Sequence, residues 1–401
     1  MRFIKASLSL VMVILSLFVI TGFNFIFHSA YAQGNSIQIN ADGATFPYPI
    51  ILKWADEYNK LHPNIQFNYQ ALGSGTGVKH FLDYQTDFGA SDAPLSKTES
   101  VKAGDVLHIP ETIGADVVAY NIPGIQTGMN LTGKIIADIY QGKITNWNDT
   151  SIQDINQGMK LPDQPITTVH RSDGSGTTFV FTDFLSRSSV DWNTFIGKGK
   201  TVSWPTGVGS PQNEGVANSV NQTPYSIGYI ELAYALQRNM TYAHIMNAQG
   251  SSFVAPTMES IQSAASNGIP MLPSSDGDWS QVSIINSQGD NSYPISSMTY
   301  FLVHQNLEKV PGMTREKAKE VVNLINWIIT DGQQFSPSLE YAPLPDGVKQ
   351  KDIEGLAMIK YNGESLMAET TPEFDQIVPI IFIISIIVII TITHNMKTSK
   401  Y

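Results

Sequence analysis

The chain has 401 residues, 42% hydrophobic and 15% charged, which is long enough for more than one domain with a sizeable core. Its formal net charge is −11, which excludes the basic field that holds nucleic-acid backbones. It has no cysteine, which removes disulfides, thiolate metal sites, Cys nucleophiles and a lipid-modified N-terminal Cys.

The first 32 residues read as an export signal. Arg2 and Lys5 precede an apolar run from Leu8 to Phe27, and Ala30-Tyr31-Ala32 is a small-x-small cleavage site before Gln33. The apolar run is long for a signal, so an uncleaved anchor stays open; either way the body is expected outside the cytoplasm.

A strand is expected over 36–40, followed by the turn Ala41-Asp42-Gly43-Ala44-Thr45-Phe46-Pro47 and a helix over 49–62, where Ile50, Trp54, Tyr58 and Leu61 recur near helical spacing. A strand over 65–71 leads to Gly73-Ser74-Gly75-Thr76-Gly77 and a helix to Tyr84. Asp87 to Pro94 reads as a short buried strand ending in a turn, with Asp92 either a turn residue or a ligand group. A core strand spans 112–121, and Asn121-Ile122-Pro123-Gly124 is a candidate hinge. Gly128 to Lys134 has the spacing of a P-loop, but Ile135 occupies the Ser/Thr position and no strand runs into Gly128, so it is read as a decoy.

The stretch His170 to Phe179 organises the chain. A strand over 165–169 delivers Arg171, Ser172, Asp173, Gly174, Ser175, Gly176 and Thr177 to the start of a helix over 178–185. Glycines, hydroxyls and a helix N-terminus offer N–H donors and a partial positive charge to an oxyanion, and Arg171 can clamp it. Asp173 is expected to orient Arg171 from behind and to cap the helix. The Gly73–Gly77 loop has the same grammar about a hundred residues earlier, so the two loops are read as sitting on separate lobes that close on one anion. Each alone is also compatible with an ordinary Gly/Ser turn before a helix. Further helices are expected over 135–140, 216–221, 232–237, 258–266 and 315–329, with strands over 226–230 and 300–303, an alternation that reads as α/β.

N-x-S/T sequons at Asn130, Asn148, Asn221 and Asn239 are possible glycosylation sites. None of the histidines forms an H-x-x-x-H pair, and neither metal nor cofactor is expected. Residues 377–393 carry no charge and contain ten isoleucines, the pattern of a membrane span, with Glu373 and Asp375 before it and Lys397 and Lys400 after it. That charge order puts the tail, 394–401, in the cytoplasm and the body outside, joined by a stalk over 363–376.

Several strings carry a resemblance: Gly43-Ala44-Thr45-Phe46-Pro47, Lys53-Trp54-Ala55-Asp56, Gly73-Ser74, Asp87-Phe88-Gly89-Ala90-Ser91-Asp92-Ala93-Pro94, Asn121-Ile122-Pro123-Gly124, Arg171 through Thr177, and Tyr341-Ala342-Pro343-Leu344-Pro345. With these motifs the chain resembles, from about Ile37 to Tyr361, the extracytoplasmic phosphate-binding protein of the phosphate ABC importer, the PstS family. The resemblance implies a two-lobed periplasmic-binding-protein fold of type II, with the ligand in the cleft between lobes. It implies lobe I over 33–120 and 293–362, lobe II over 121–292, and permease and ATPase subunits as partners. It also implies that phosphate meets Thr45, the Phe46 backbone N–H, Ser74 and Asp92 from one lobe, and Arg171, Asp173, Ser175, the Gly176 backbone and Thr177 from the other. Two departures stand out: Gly75-Thr76-Gly77 where the family often has Ser-Gly-Gly after Ser74, and His170 where many members carry a second Arg. The rival readings are a binding protein for sulfate, molybdate or tungstate, a surface sensor, and a hydrolase using Ser74 or Ser175, although neither serine lies in G-x-S-x-G.

Overall fold

The computed structural model describes residues 36–269 and 272–367. The expected export segment (1–32), apolar anchor (377–393) and tail (394–401) lie outside the described residues. Among the described residues no helix is long and apolar enough to cross a membrane.

The frame is a nine-stranded sheet. Its main strands are β1 (Ile37–Gly43), β2 (Ile65–Gln70), β3 (Phe88–Ser91), β4 (Val106–Asn121), β5 (Thr167–Arg171), β6 (Val208–Ser210), β7 (Ser226–Glu231) and β8 (Ser296–His304). They stand in the order β2-β1-β3-β8-β4-β7-β5-β6, with Thr241–Tyr242 added beside β4. β1, β2 and β3 are parallel, as are β5, β6 and β7. β8 runs antiparallel between β3 and β4.

β4 is the shared member. From Val106 to Ala115 it pairs with β8, and from Asp116 to Asn121 it pairs with β7. A strand that changes partner along its length belongs to two sheet regions at once. Its burial is continuous from Val106 to Tyr120, which suits a strand covered on both faces.

The helices that matter to the site are α1 (Tyr48–Leu61), α2 (Ser74–Leu82), α3 (Gly176–Ser188), α4 (Gln212–Gln222) and α5 (Arg315–Ile329). α1 and α5 lie as the apolar spacing predicts. α3 begins two residues earlier than expected because Ser175, not Asp173, caps it: the Ser175 hydroxyl accepts from Thr178 N–H at 3.0 Å. α4 begins four residues earlier than expected, at a Gln212 held at φ 60°. The P-loop-like stretch is no phosphate cradle: Thr132 caps a helix over Gly133–Tyr140 and Lys134 pairs with Asp138 on the exposed face.

The start of the expected stalk is folded. Lys360–Tyr361 pairs with Glu364–Ser365, and Leu366 is fully buried. Asn362 and Gly363 both take positive φ, 52° and 80°, which is the turn that an Asn-Gly pair makes between two strands.

Candidate functional site: an anion cleft

The parallel strands deliver the site. Ligand groups in open α/β sheets gather at the carboxyl ends of strands. β1 ends at Gly43 and hands over to Thr45 and Phe46; β3 ends at Ser91, just before Asp92; β5 ends at Arg171. Gly73 precedes α2 with φ 93°, and an added Cβ there would stand 2.5 Å from Asp173 Oδ2. The two glycine loops therefore touch: Gly75 N–H donates to Gly174 O at 2.8 Å.

Arg171 is 2% exposed. Its Nε donates to Asp173 Oδ1 at 2.8 Å and its Nη2 to Asp173 Oδ2, a fork-to-fork clamp that fixes the guanidinium plane. Asp173 also accepts from Gln212 N–H at 3.0 Å. Burial would raise the Asp173 carboxyl, but the bonds and charge of Arg171 with the Gln212 N–H hold it below its ordinary value. Arg171 Nη1 donates to Thr45 Oγ1 at 3.2 Å and Thr177 Oγ1 at 3.3 Å, one hydroxyl from the loop after β1 and one from the start of α3.

Asp92 lies opposite. It is 1% exposed, and its Oδ2 accepts from Ser74 Oγ at 3.3 Å while Oδ1 has no partner among the described residues. Burial pushes its pKa up to about 7 against the pull of Arg171, Ser74 and the Thr177 N–H. Three more carboxyls, Glu111, Asp116 and Glu231, are fully buried within electrostatic reach of Asp92, and burial, the largest cause, holds all three well above the ordinary range. Among the described residues Arg171 is the buried fixed cation, and the donors around it must supply the rest of the attraction for an anion.

Those donors are present. The N–H groups of Gly176 and Thr177 open the first turn of α3, where N–H groups have no intrahelical acceptor; that of Thr177 meets Asp92 and that of Gly176 is left for an anion. Ser175 spends its acceptor on the cap and keeps its O–H. An added Cβ on Gly176 would lie 2.3 Å from Asp92 Oδ2 and 2.5 Å from Ser74 Oγ, so only glycine lets the α3 terminus approach this closely. Phe46 is fully buried, its carbonyl held by Tyr341 OH at 2.7 Å and its ring edge-on to Tyr341. The structure therefore brings Thr45, Phe46, Ser74, Asp92, Arg171, Asp173, Ser175, Gly176 and Thr177 to one place.

His170 does not join them: its ring stacks on Trp204 at 4.8 Å and its Nδ1 meets the Arg171 carbonyl at 3.0 Å. Neither Ser74 nor Ser175 has a histidine partner among the described residues, so the general base that a serine nucleophile needs is missing.

Reading the sequence overlooked three residues. Asn213 Nδ2 lies 3.1 Å from Thr45 Oγ1 and 3.2 Å from Thr177 Oγ1. Tyr229 OH receives Arg171 N–H at 3.0 Å and meets Thr178 Oγ1 at 2.7 Å. Tyr234 OH donates to Thr45 O at 2.7 Å. The one local signal for Asn213 is its place in a polar Pro-Gln-Asn-Glu run ahead of a helix; Tyr229 stands in Ile227-Gly228-Tyr229, a string that also carries the family resemblance but implies no site role, and Tyr234 has only its place in the expected helix over 232–237.

A family model described as a PBP superfamily domain matches residues 29–331. The chain is 43% identical over 333 residues to a phosphate-binding protein PstS of Pasteurella multocida, covering 81% of this chain and 92% of that one. It is 42% identical over 327 residues to a phosphate-binding protein PstS of Xylella fastidiosa, covering 79% and 85%. Among solved structures it resembles a human phosphate binding apolipoprotein at a TM-score of 0.61 and 19% identity, covering 78% of this chain and 92% of that one, which speaks for the fold. The chain has the two-lobed α/β fold of periplasmic binding proteins, and it belongs to the PstS family of phosphate-binding proteins.

Proposed function

We propose that this chain captures inorganic phosphate between its two lobes and delivers it to the permease and ATPase subunits of a phosphate ABC importer. The observation that carries the reading is Asp92: a buried carboxylate with one unpartnered oxygen, facing a cleft otherwise rich in donors. Phosphate near neutral pH keeps a proton to give to that oxygen, and sulfate keeps none. A sulfate would leave Asp92 repelled and unpaired, and an unmatched buried polar group can reject a ligand by roughly 10⁴–10⁵-fold. Thr45, the Phe46 N–H, Ser74, Arg171, Ser175, Gly176 and Thr177 would supply donors, with Asp173 holding Arg171. Nothing beyond the shared fold favours sulfate, molybdate or tungstate, and membership in a family of binding proteins sets aside the hydrolase reading.

We place the lobes over 33–120 with 293–362 and over 121–292. The support is the change of partner in β4, which lies at Ala115/Asp116, five residues ahead of the Asn121 hinge, together with the Asp116 N–H to Ile295 O bond of 2.9 Å beside the return crossing. Closure would bring the donor sets together, as hinged two-lobe proteins do. The body would sit outside the cytoplasm, held by a membrane helix over 377–393; support for the anchor is its apolar, charge-free sequence and the lysines after it.

The test is calorimetric titration of the full-length chain in mild detergent, unfolded and refolded to strip carried ligand, with phosphate and with sulfate. Tight one-to-one phosphate binding without sulfate heat is the expected result. Sulfate binding, or no phosphate heat, would overturn the reading.

A further inference from the structure

We infer that Asn213 sets the hydrogen-bond polarity of one corner of the cleft, turning the hydroxyls of Thr45 and Thr177 into obligate donors toward the ligand. The inference rests on the phosphate-capture reading and adds a residue to it.

Four groups form a closed diamond. Arg171 Nη1 donates to Thr45 Oγ1 at 3.2 Å and to Thr177 Oγ1 at 3.3 Å. Asn213 Nδ2 donates to the same two oxygens at 3.1 and 3.2 Å. A hydroxyl oxygen has two acceptor lone pairs and one proton to give. Both oxygens are filled as acceptors, one bond from each nitrogen, and each nitrogen spends both of its hydrogens. Neither hydroxyl donates to a partner among the described residues, so each keeps one proton for a group in the cleft. The two hydroxyls come from separate loops, one after β1 and one at the start of α3, and the diamond ties them at one point.

The placement of Asn213 is built. Gln212 sits at φ 60°, a left-handed conformation that residues with a Cβ rarely adopt. It is held there from both sides: its N–H donates to Asp173 Oδ1 at 3.0 Å and its side chain to Ala71 O at 2.7 Å. That turn drives Asn213 inward, where it is fully buried.

The consequence is selective. A corner that can only donate suits an ionised phosphate oxygen and has no acceptor to offer a P–OH proton. The proton of the ligand is thereby sent to the opposite side, where Asp92 Oδ1 is unpartnered. Arg171 alone would leave one lone pair on each hydroxyl free to meet a P–OH, so the amide completes the polarity.

The experiment compares the full-length chain with Asn213→Ala in the wild-type, Thr45→Val and Thr177→Val backgrounds, by competition with radiolabelled phosphate, which still reads millimolar binding. Two lost orienting bonds should weaken phosphate binding about tenfold or more in the wild-type background. In either Val background the cost of Asn213→Ala should fall to about threefold, because one of the two hydroxyls it acts through is gone. Equal cost in all three backgrounds, or no cost in the wild type, would overturn the inference while leaving phosphate capture intact. A wild-type chain that fails to bind phosphate would overturn both. A purely structural role for Asn213 would lower the melting temperature of the ligand-free chain without this dependence on background.

Discussion

Replacing Asp92 by Asn should make the ligand-free protein more stable and the binding protein less discriminating. Asp92 titrates at about 7 in the folded state against an ordinary value of 3.8. Between those values the folded protein holds a proton that the unfolded chain has released, so stability falls as pH rises through that window. A shift of about three units at 1.36 kcal/mol each amounts to about 4 kcal/mol above pH 7, which Asn does not lose. For a chain of this size, at roughly 2 cal/mol/K of unfolding entropy per residue, that is about 5 °C of melting temperature. The assay is a thermal melt of phosphate-stripped wild type and Asp92→Asn from pH 4 to pH 8.5. The curves should converge near pH 4 and separate upward, with the variant higher. A difference that stays constant with pH would refute the reasoning, since burial of the charged form is its only source. The same variant, titrated with phosphate and sulfate, should lose most of its preference; full retention would show that Asp92 is not the acceptor.

Gly176→Ala should weaken phosphate binding by about a hundredfold or more while leaving the ligand-free melting temperature unchanged or raised, because the new Cβ strikes Asp92 and Ser74 in the closed cleft, whereas alanine itself favours a helix; calorimetry and melts on one preparation check both halves. Burial alone would raise Asp105, but hydrogen bonds from Asn306, His304 and Lys309 carry it down to about 2, so its contribution is present above pH 4 and is lost as pH falls toward 2. Asp105→Asn should therefore lower the melting temperature at pH 7 and match wild type near pH 2; a gap that persists at pH 2 would count against the assignment.

Much of this protein is legible locally. Apolar spacing along α1 and α5, the β-branched run of β4, and the glycine–hydroxyl loops before α2 and α3 each declare themselves within about a dozen residues, because helix and strand periods and turn chemistry are properties of neighbours in the chain. The paired loops also announced an anion site, since exposed N–H groups at a helix start need nothing distant to be useful. What stayed hidden depends on contacts across the sequence. Asp173 looked like a helix cap, but Ser175 took that place once Arg171 claimed the Asp173 carboxylate. Asn213 lies 168 residues from Thr45 and 36 from Thr177, and no local pattern marks an amide that will bridge them. The raised pKa of Asp92 is likewise a tertiary property: it comes from the removal of water by surrounding segments, and a carboxylate in a turn carries no sign of that until the chain has closed around it.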